Sequence, residues 1–113
     1  MSKKQYYKLI RDRIPEIIEA AGKRCTCSIL SDEEYLARLD EKLNEELAEY
    51  QESKSMEELA DLLEVIRAVA VARGSSIEEV EAIRRDKAAM RGGFEKKISR
   101  DGLTVSRQQR KSS

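Results

Sequence analysis

The sequence contains no histidine, one phenylalanine and only two cysteines. Cys25 and Cys27 stand one residue apart, a poor spacing for a disulfide. With no histidine and no third cysteine to complete a ligand set, zinc and iron sites are disfavoured, and two reduced, structural thiols are expected. No apolar run approaches the roughly 20 residues that a membrane-spanning helix needs. The opening Met1-Ser2-Lys3-Lys4-Gln5-Tyr6 lacks the apolar stretch of a signal peptide. A cytoplasmic protein with no membrane partner is therefore expected. At 113 residues the chain supports one domain and one modest hydrophobic core.

What the sequence has in abundance is charge, and it is unevenly placed. The formal net charge is zero, yet Asp32 to Glu64 holds thirteen acidic residues against three basic ones. From Arg84 to Lys111 the balance reverses, with ten basic residues against three acidic. An acidic centre between basic ends suits a site that holds a cation and an anionic ligand together. It suits a salt-bridged helical bundle equally well, so charge alone decides nothing.

The periodicity is helical wherever it is strong. Asp12 is an expected N-cap, Pro15 sits in a first turn, and Ile14, Ile17, Ile18 and Ala21 form a stripe that Gly22 stops. Residues 24–30 alternate weakly and read as an extended connector. Ser31 and Glu34 form a capping box before a second helix striped by Leu36, Leu39, Leu43, Leu47 and Tyr50. Ser55 and Glu58 form another, before a third helix with Met56, Leu59, Leu62, Leu63, Ile66, Val69 and Ala70, ending near Gly74. Ser75 or Ser76 caps a fourth helix carrying Val80 and Ile83, which runs to about Met90 before Gly92-Gly93. The expected fold is all-α: an antiparallel helical hairpin at the core of a four-helix, bundle-like domain over residues 1–98. Residues 94–98 are expected to dock, and residues 99–113 to form a basic, mobile tail.

The chemistry is concentrated in the hairpin. Glu45-Glu46-Leu47-Ala48-Glu49 is followed, after a short break, by Glu57-Glu58-Leu59-Ala60-Asp61. Glu46 and Glu49 are spaced i, i+3, as are Glu58 and Asp61, which makes each pair neighbours on its helix. The few residues between the helices favour an antiparallel arrangement. Glu46 then falls across from Asp61, and Glu49 across from Glu58, each pair being equidistant from the turn. At about 100° per residue, Glu46 and Glu49 hold the same angular offsets from Leu47 that Glu58 and Asp61 hold from Leu59. The two-fold relation of antiparallel helices puts all four carboxylates on one flank. They repel one another unless a cation lies between them, and magnesium, which prefers oxygen ligands, is the natural candidate. The competing reading is that these are solvated helix faces, with Glu58 serving only its cap.

These residues resemble the MazG-like, all-α nucleoside triphosphate pyrophosphohydrolases, a superfamily that includes phosphoribosyl-ATP pyrophosphohydrolase. The family's mark, EExxE followed by ExxD, stands here as Glu45-Glu46-Leu47-Ala48-Glu49 and Glu58-Leu59-Ala60-Asp61. The opening Lys8-Leu9-Ile10-Arg11-Asp12-Arg13-Ile14-Pro15-Glu16-Ile17-Ile18 and the later Lys87-Ala88-Ala89-Met90-Arg91-Gly92-Gly93-Phe94 are similar to one branch of it. The resemblance covers roughly residues 8–98. It implies magnesium-dependent hydrolysis between the α and β phosphates of a nucleotide, giving a monophosphate and pyrophosphate, a candidate house-cleaning activity. Glu46, Glu49, Glu58 and Asp61 would be metal ligands by this carry-over. Glu45 and Glu46 are the candidate catalytic carboxylates, with Glu45 either positioning a water or lying at the surface. Phosphoribosyl-ATP, the substrate used in histidine biosynthesis, is an alternative.

Lys87 and Arg91, near the end of the fourth helix, are candidate phosphate contacts, as are Lys8 and Arg11 at the opening. For Lys87 and Arg91 the competing reading is a basic last turn suited to the helix dipole, and this is the preferred reading for Arg84. Tyr6, Tyr7 and Phe94 are better read as packing residues than as base-stacking ones. Helix three is apolar almost all round, which a short chain can hardly cover alone, so a homodimer or homotetramer is expected. A non-catalytic helical interaction module remains the rival to an enzyme. A stable nucleic-acid partner is not expected, because the acidic centre repels phosphate in the absence of metal.

Overall fold

Ser31 starts the longest helix in the way its spacing from Glu34 predicts. Its hydroxyl accepts from the Glu34 N–H at 3.2 Å, and its own N–H donates to Glu34 Oε1 at 3.2 Å. In the structure, a computed structural model describing residues 8–104, this helix is the second of four. They are α1 (Ile14–Ala20), α2 (Asp32–Ser53), α3 (Met56–Ala72) and α4 (Ile77–Arg91). The described residues contain no strand, so the fold is all-α, as expected. None of these helices is long and apolar enough to cross a membrane.

The remaining boundaries reflect local chemistry. Arg13, rather than Asp12, occupies the N-cap of α1, and no side chain caps it; Pro15 in the first turn, where its missing N–H costs nothing, sets the start instead. Residues 24–30 have no regular structure. Ser76 caps α4, accepting from the Glu79 N–H at 3.1 Å, while the neighbouring Ser75 hydroxyl bonds to the Glu79 carboxylate. Between α2 and α3 only Lys54 and Ser55 intervene, and Lys54 makes the reversal in the left-handed region at φ +58°. That conformation is uncommon for a residue with a Cβ. Its N–H closes the helix onto the Tyr50 carbonyl at 2.7 Å, and its ammonium lies 5.6 Å from the Tyr50 ring centre.

So short a link folds α3 back along α2, and these two helices make the principal packing contact among the described elements. Among the described residues, Leu39 (2% exposed), Val65 and Ala70 are the buried apolar ones. Leu47, Met56, Leu59 and Leu63 remain substantially exposed. By position around their helices these four lie on the hairpin flank opposite the carboxylates. Arg73 and Asp40 pair at 3.2 Å near the end of the hairpin away from the turn.

The chain divides into two compact units after Glu81. The first contains α1, the hairpin and the start of α4; the second contains the rest of α4 and the residues after it. In the second unit Phe94 (96% exposed) and Ile98 are open to solvent. The tail expected over 99–113 extends past residue 104, and Tyr6 and Tyr7 likewise lie outside the described residues.

Candidate metal centre

The carboxylates continue the stripes that build the core. Leu39, Lys42, Glu46 and Glu49 stand at i, i+3, i+7 and i+10 along α2, and Glu58, Asp61 and Val65 at i, i+3 and i+7 along α3. Leu39 and Val65 are buried, so residues in phase with them nearer the turn are drawn toward the same interior. Glu46 is only 6% exposed as a result. It forms no hydrogen bond or ion pair with any described residue.

Two overlapping groups form around it. Glu46, Glu58 and Asp61 each offer an oxygen, all within 4.8 Å of one another, and Glu45, Glu46 and Glu49 do the same. Glu46 belongs to both. Ser55 caps α3 by accepting from the Glu58 N–H at 3.2 Å, but the Glu58 carboxylate does not complete a capping box. It turns instead toward Glu49 and Asp61, and its Oε2 is buried with no hydrogen-bond partner among the described residues. Glu58 thus joins the cap through its backbone N–H alone, which leaves its side chain among the other carboxylates.

The electrostatics arise from this crowding. Burial first, then the negative charge of Glu49, raises Glu46 above the ordinary carboxylate range; Asp61 and Glu45 add to this and Lys42 opposes it. Burial first, then Glu49 and Asp61, likewise raises Glu58. Glu45 moves the other way: a hydrogen bond from Lys42 at 2.9 Å lowers it, with help from Lys8 at 3.6 Å. Arg11 pairs with Asp61 at 2.7 Å.

These shifts make the stability of the metal-free protein depend on pH. Glu46 and Glu58 hold a proton more tightly folded than unfolded, so their contribution is fully present below the unfolded value, about 4.3 for Glu. It is lost as pH rises through their raised folded values. Thermal melts in chelator should therefore give a lower midpoint at pH 7.5 than at pH 5, and magnesium should reduce that loss. Glu45 acts in the opposite sense, at the acidic end, losing its contribution as pH falls through its lowered value. A metal-free midpoint that climbs steadily to pH 7.5 would contradict the geometry.

Other candidates are placed differently. Lys8 and Arg11 are brought to the carboxylates themselves, on Glu45 and Asp61. Lys87 and Arg91 lie exposed on the part of α4 belonging to the second unit. Lys42 was missed by sequence reasoning, though its i, i+3 spacing to Glu45 was the available signal. The thiols of Cys25 and Cys27 are free, and partial burial beside Cys27 pushes Cys25 up, away from the ionised form.

Beside the carboxylates, within the first unit, lies a cleft of about 540 Å³ between residues 9–17 and the facing sides of α2 and α3. Its volume is within the usual range of small-molecule sites. Leu9, Ile10 and Ile14 supply apolar wall, while Glu46 and Asp61 reach it from the hairpin.

The chain is 58% identical over 41 residues to an uncharacterized protein of Mycolicibacterium smegmatis, a match covering 36% of this chain and 42% of the relative. The chain thus spans less than half of that relative's length. No protein-family model and no solved structure matches.

Proposed function

We propose that this protein is a magnesium-dependent nucleotide pyrophosphohydrolase, cutting the α–β phosphate bond of a nucleoside triphosphate or related nucleotide to give the monophosphate and pyrophosphate. The observation that carries the reading is Glu46: a carboxylate 6% exposed, with no hydrogen-bond or ion-pair partner among the described residues, and central to two carboxylate groups. An unpaired buried charge is expensive, and it persists where function requires it. The unpartnered Glu58 Oε2 repeats the argument from the facing helix.

The donor set fits magnesium. Every ligand is a hard carboxylate oxygen, from Glu46, Glu49, Glu58 and Asp61, with Glu45 at the edge of the cluster. When bound, the metal supplies Lewis acidity and offsets the negative charge of a polyphosphate. The protein supplies position. The capped helices and their tight turn fix the carboxylates, and the cleft provides apolar wall for the uncharged part of a nucleotide. Glu45, anchored by Lys42 and Lys8, can orient a water and accept its proton at a carboxylate oxygen. Its lowered proton affinity makes it a modest base, so orientation is its larger contribution. The resemblance of the EExxE and ExxD segments to MazG-like enzymes supports the reaction class.

The apolar flank supports a homodimer, with a second copy covering Leu47, Met56, Leu59 and Leu63. A cytoplasmic location accords with the free thiols.

The deciding experiment is a panel of nucleoside triphosphates and phosphoribosyl-ATP, with and without magnesium, scored for pyrophosphate against orthophosphate. Magnesium-dependent pyrophosphate release is the expected result. Orthophosphate would move the cut to another bond. No turnover and no effect of magnesium on melting would favour the helical interaction module.

A further inference from the structure

Arg11 occupies an unusual place for a residue that sequence reasoning offers to phosphate. Its Nη2 lies 2.7 Å from Asp61 Oδ1, fifty positions along the chain. Asp61 and Glu58 each offer an oxygen within 4.8 Å of the buried Glu46, which has no hydrogen-bond or ion-pair partner among the described residues. The guanidinium therefore stands as a counter-ion at the edge of the candidate centre. It cannot shed its charge, since arginine stays protonated in proteins. A divalent cation taken up by Asp61 and Glu46 would meet that fixed positive charge at close range. Both groups are partly exposed and Arg11 lies in the irregular segment before α1, so the pair can part cheaply. Arg11 also lines the cleft beside the carboxylates. Released from Asp61, its planar fork is already where an anionic oxygen of a bound nucleotide can be gripped by two hydrogen bonds.

We propose that Arg11 exchanges partners: it neutralises Asp61 in the metal-free protein, yields Asp61 to the metal, and then holds a phosphate of the nucleotide. This rests on the functional reading above and assigns Arg11 a positioning role in it. The exchange lets the carboxylates await metal without their full mutual repulsion, and it links metal uptake to substrate binding.

The exchange predicts opposite effects from one substitution. In the full-length protein, Arg11→Gln should bind magnesium or manganese alone about 2- to 5-fold more tightly, the scale of losing a partly exposed ion pair. The same variant, saturated with magnesium, should bind an α,β-methylene nucleoside triphosphate about 10- to 100-fold more weakly, the scale of a charge-assisted hydrogen bond. Arg11→Lys, which keeps the charge without the fork, should leave metal affinity near wild type and recover only part of the analogue binding. Titration calorimetry reads both affinities without turnover, and a melt of each metal-free variant confirms folding. Unchanged or weaker metal binding by Arg11→Gln, or unchanged analogue binding, overturns the exchange alone. Failure of the wild-type protein to bind either metal overturns the functional reading, and the exchange falls with it.

Discussion

Replacing Glu46 by glutamine should remove the effect of magnesium on this protein while making the metal-free chain melt at a higher temperature. The two results have one cause. Glu46 is 6% exposed, with Glu49, Asp61 and Glu45 all acting against its ionised form. Glutamine keeps its shape and removes the charge, so burial and repulsion no longer weigh on the metal-free fold. Because Glu46 belongs to both carboxylate groups, the same change weakens every arrangement in which they could share a cation. Pyrophosphate release should fall by about 10²–10³-fold, comparable to removing a principal electrostatic contact from an active site. Glu52→Gln removes a charge from an exposed position on the same helix and should leave both activity and the magnesium effect intact. Calorimetric melts with magnesium or with chelator separate the outcomes. If Glu46→Gln still gains the wild-type increment from magnesium, the carboxylates are not the metal centre.

The second large effect concerns the other flank of the hairpin. Leu59→Asp combined with Leu63→Asp should leave the protein monomeric and much less stable. Leu63 is 57% exposed, and Leu47, Met56 and Leu59 are exposed beside it, while only three apolar residues are buried among those described. Fully burying one such side chain contributes about 1.5–3 kcal/mol. Two symmetric copies, each covering the other's flank, would gain a large fraction of the stability of a small domain. The wild-type protein should therefore scatter light as two or four chains, and its melting midpoint should fall on dilution. In the doubly substituted chain the dilution effect should vanish and the midpoint should drop by about 10 °C or more, the change expected for roughly 2 kcal/mol in a domain of this size. A wild-type mass of one chain at micromolar concentration would end the dimer reading.

The balance between the flanks explains a feature that either one alone leaves puzzling. A chain with so small an interior could gain stability by placing leucine at position 46, in phase with Leu39. It carries glutamate there, and the facing helix carries Asp61 and Glu58 where Val65 sets the phase. In the proposed reading, stability is left to the opposite flank and to the caps, and the carboxylate flank is kept for a cation.

Much of this was written locally. Ser31 with Glu34 specifies the start of α2, since an i, i+3 hydrogen-bond exchange needs nothing beyond the turn that contains it. The spacing of Glu46 to Glu49 and of Glu58 to Asp61, with a link too short for anything but an antiparallel return, places the carboxylates on one flank by helix geometry alone. Tertiary structure decided what depends on distance through space. It set how deeply Glu46 is buried and which way the Glu58 carboxylate turns once Ser55 has its backbone N–H. It brought Arg11 onto Asp61, across a separation no periodicity encodes. Lys8 met Glu45 in the same way, so two residues that the sequence offered as phosphate contacts are ion-paired to the candidate site's carboxylates. Local rules act along a few residues of backbone and can be read from spacing; burial and ion pairing between distant segments exist only after the hairpin has closed and the chain before α1 has been laid beside it.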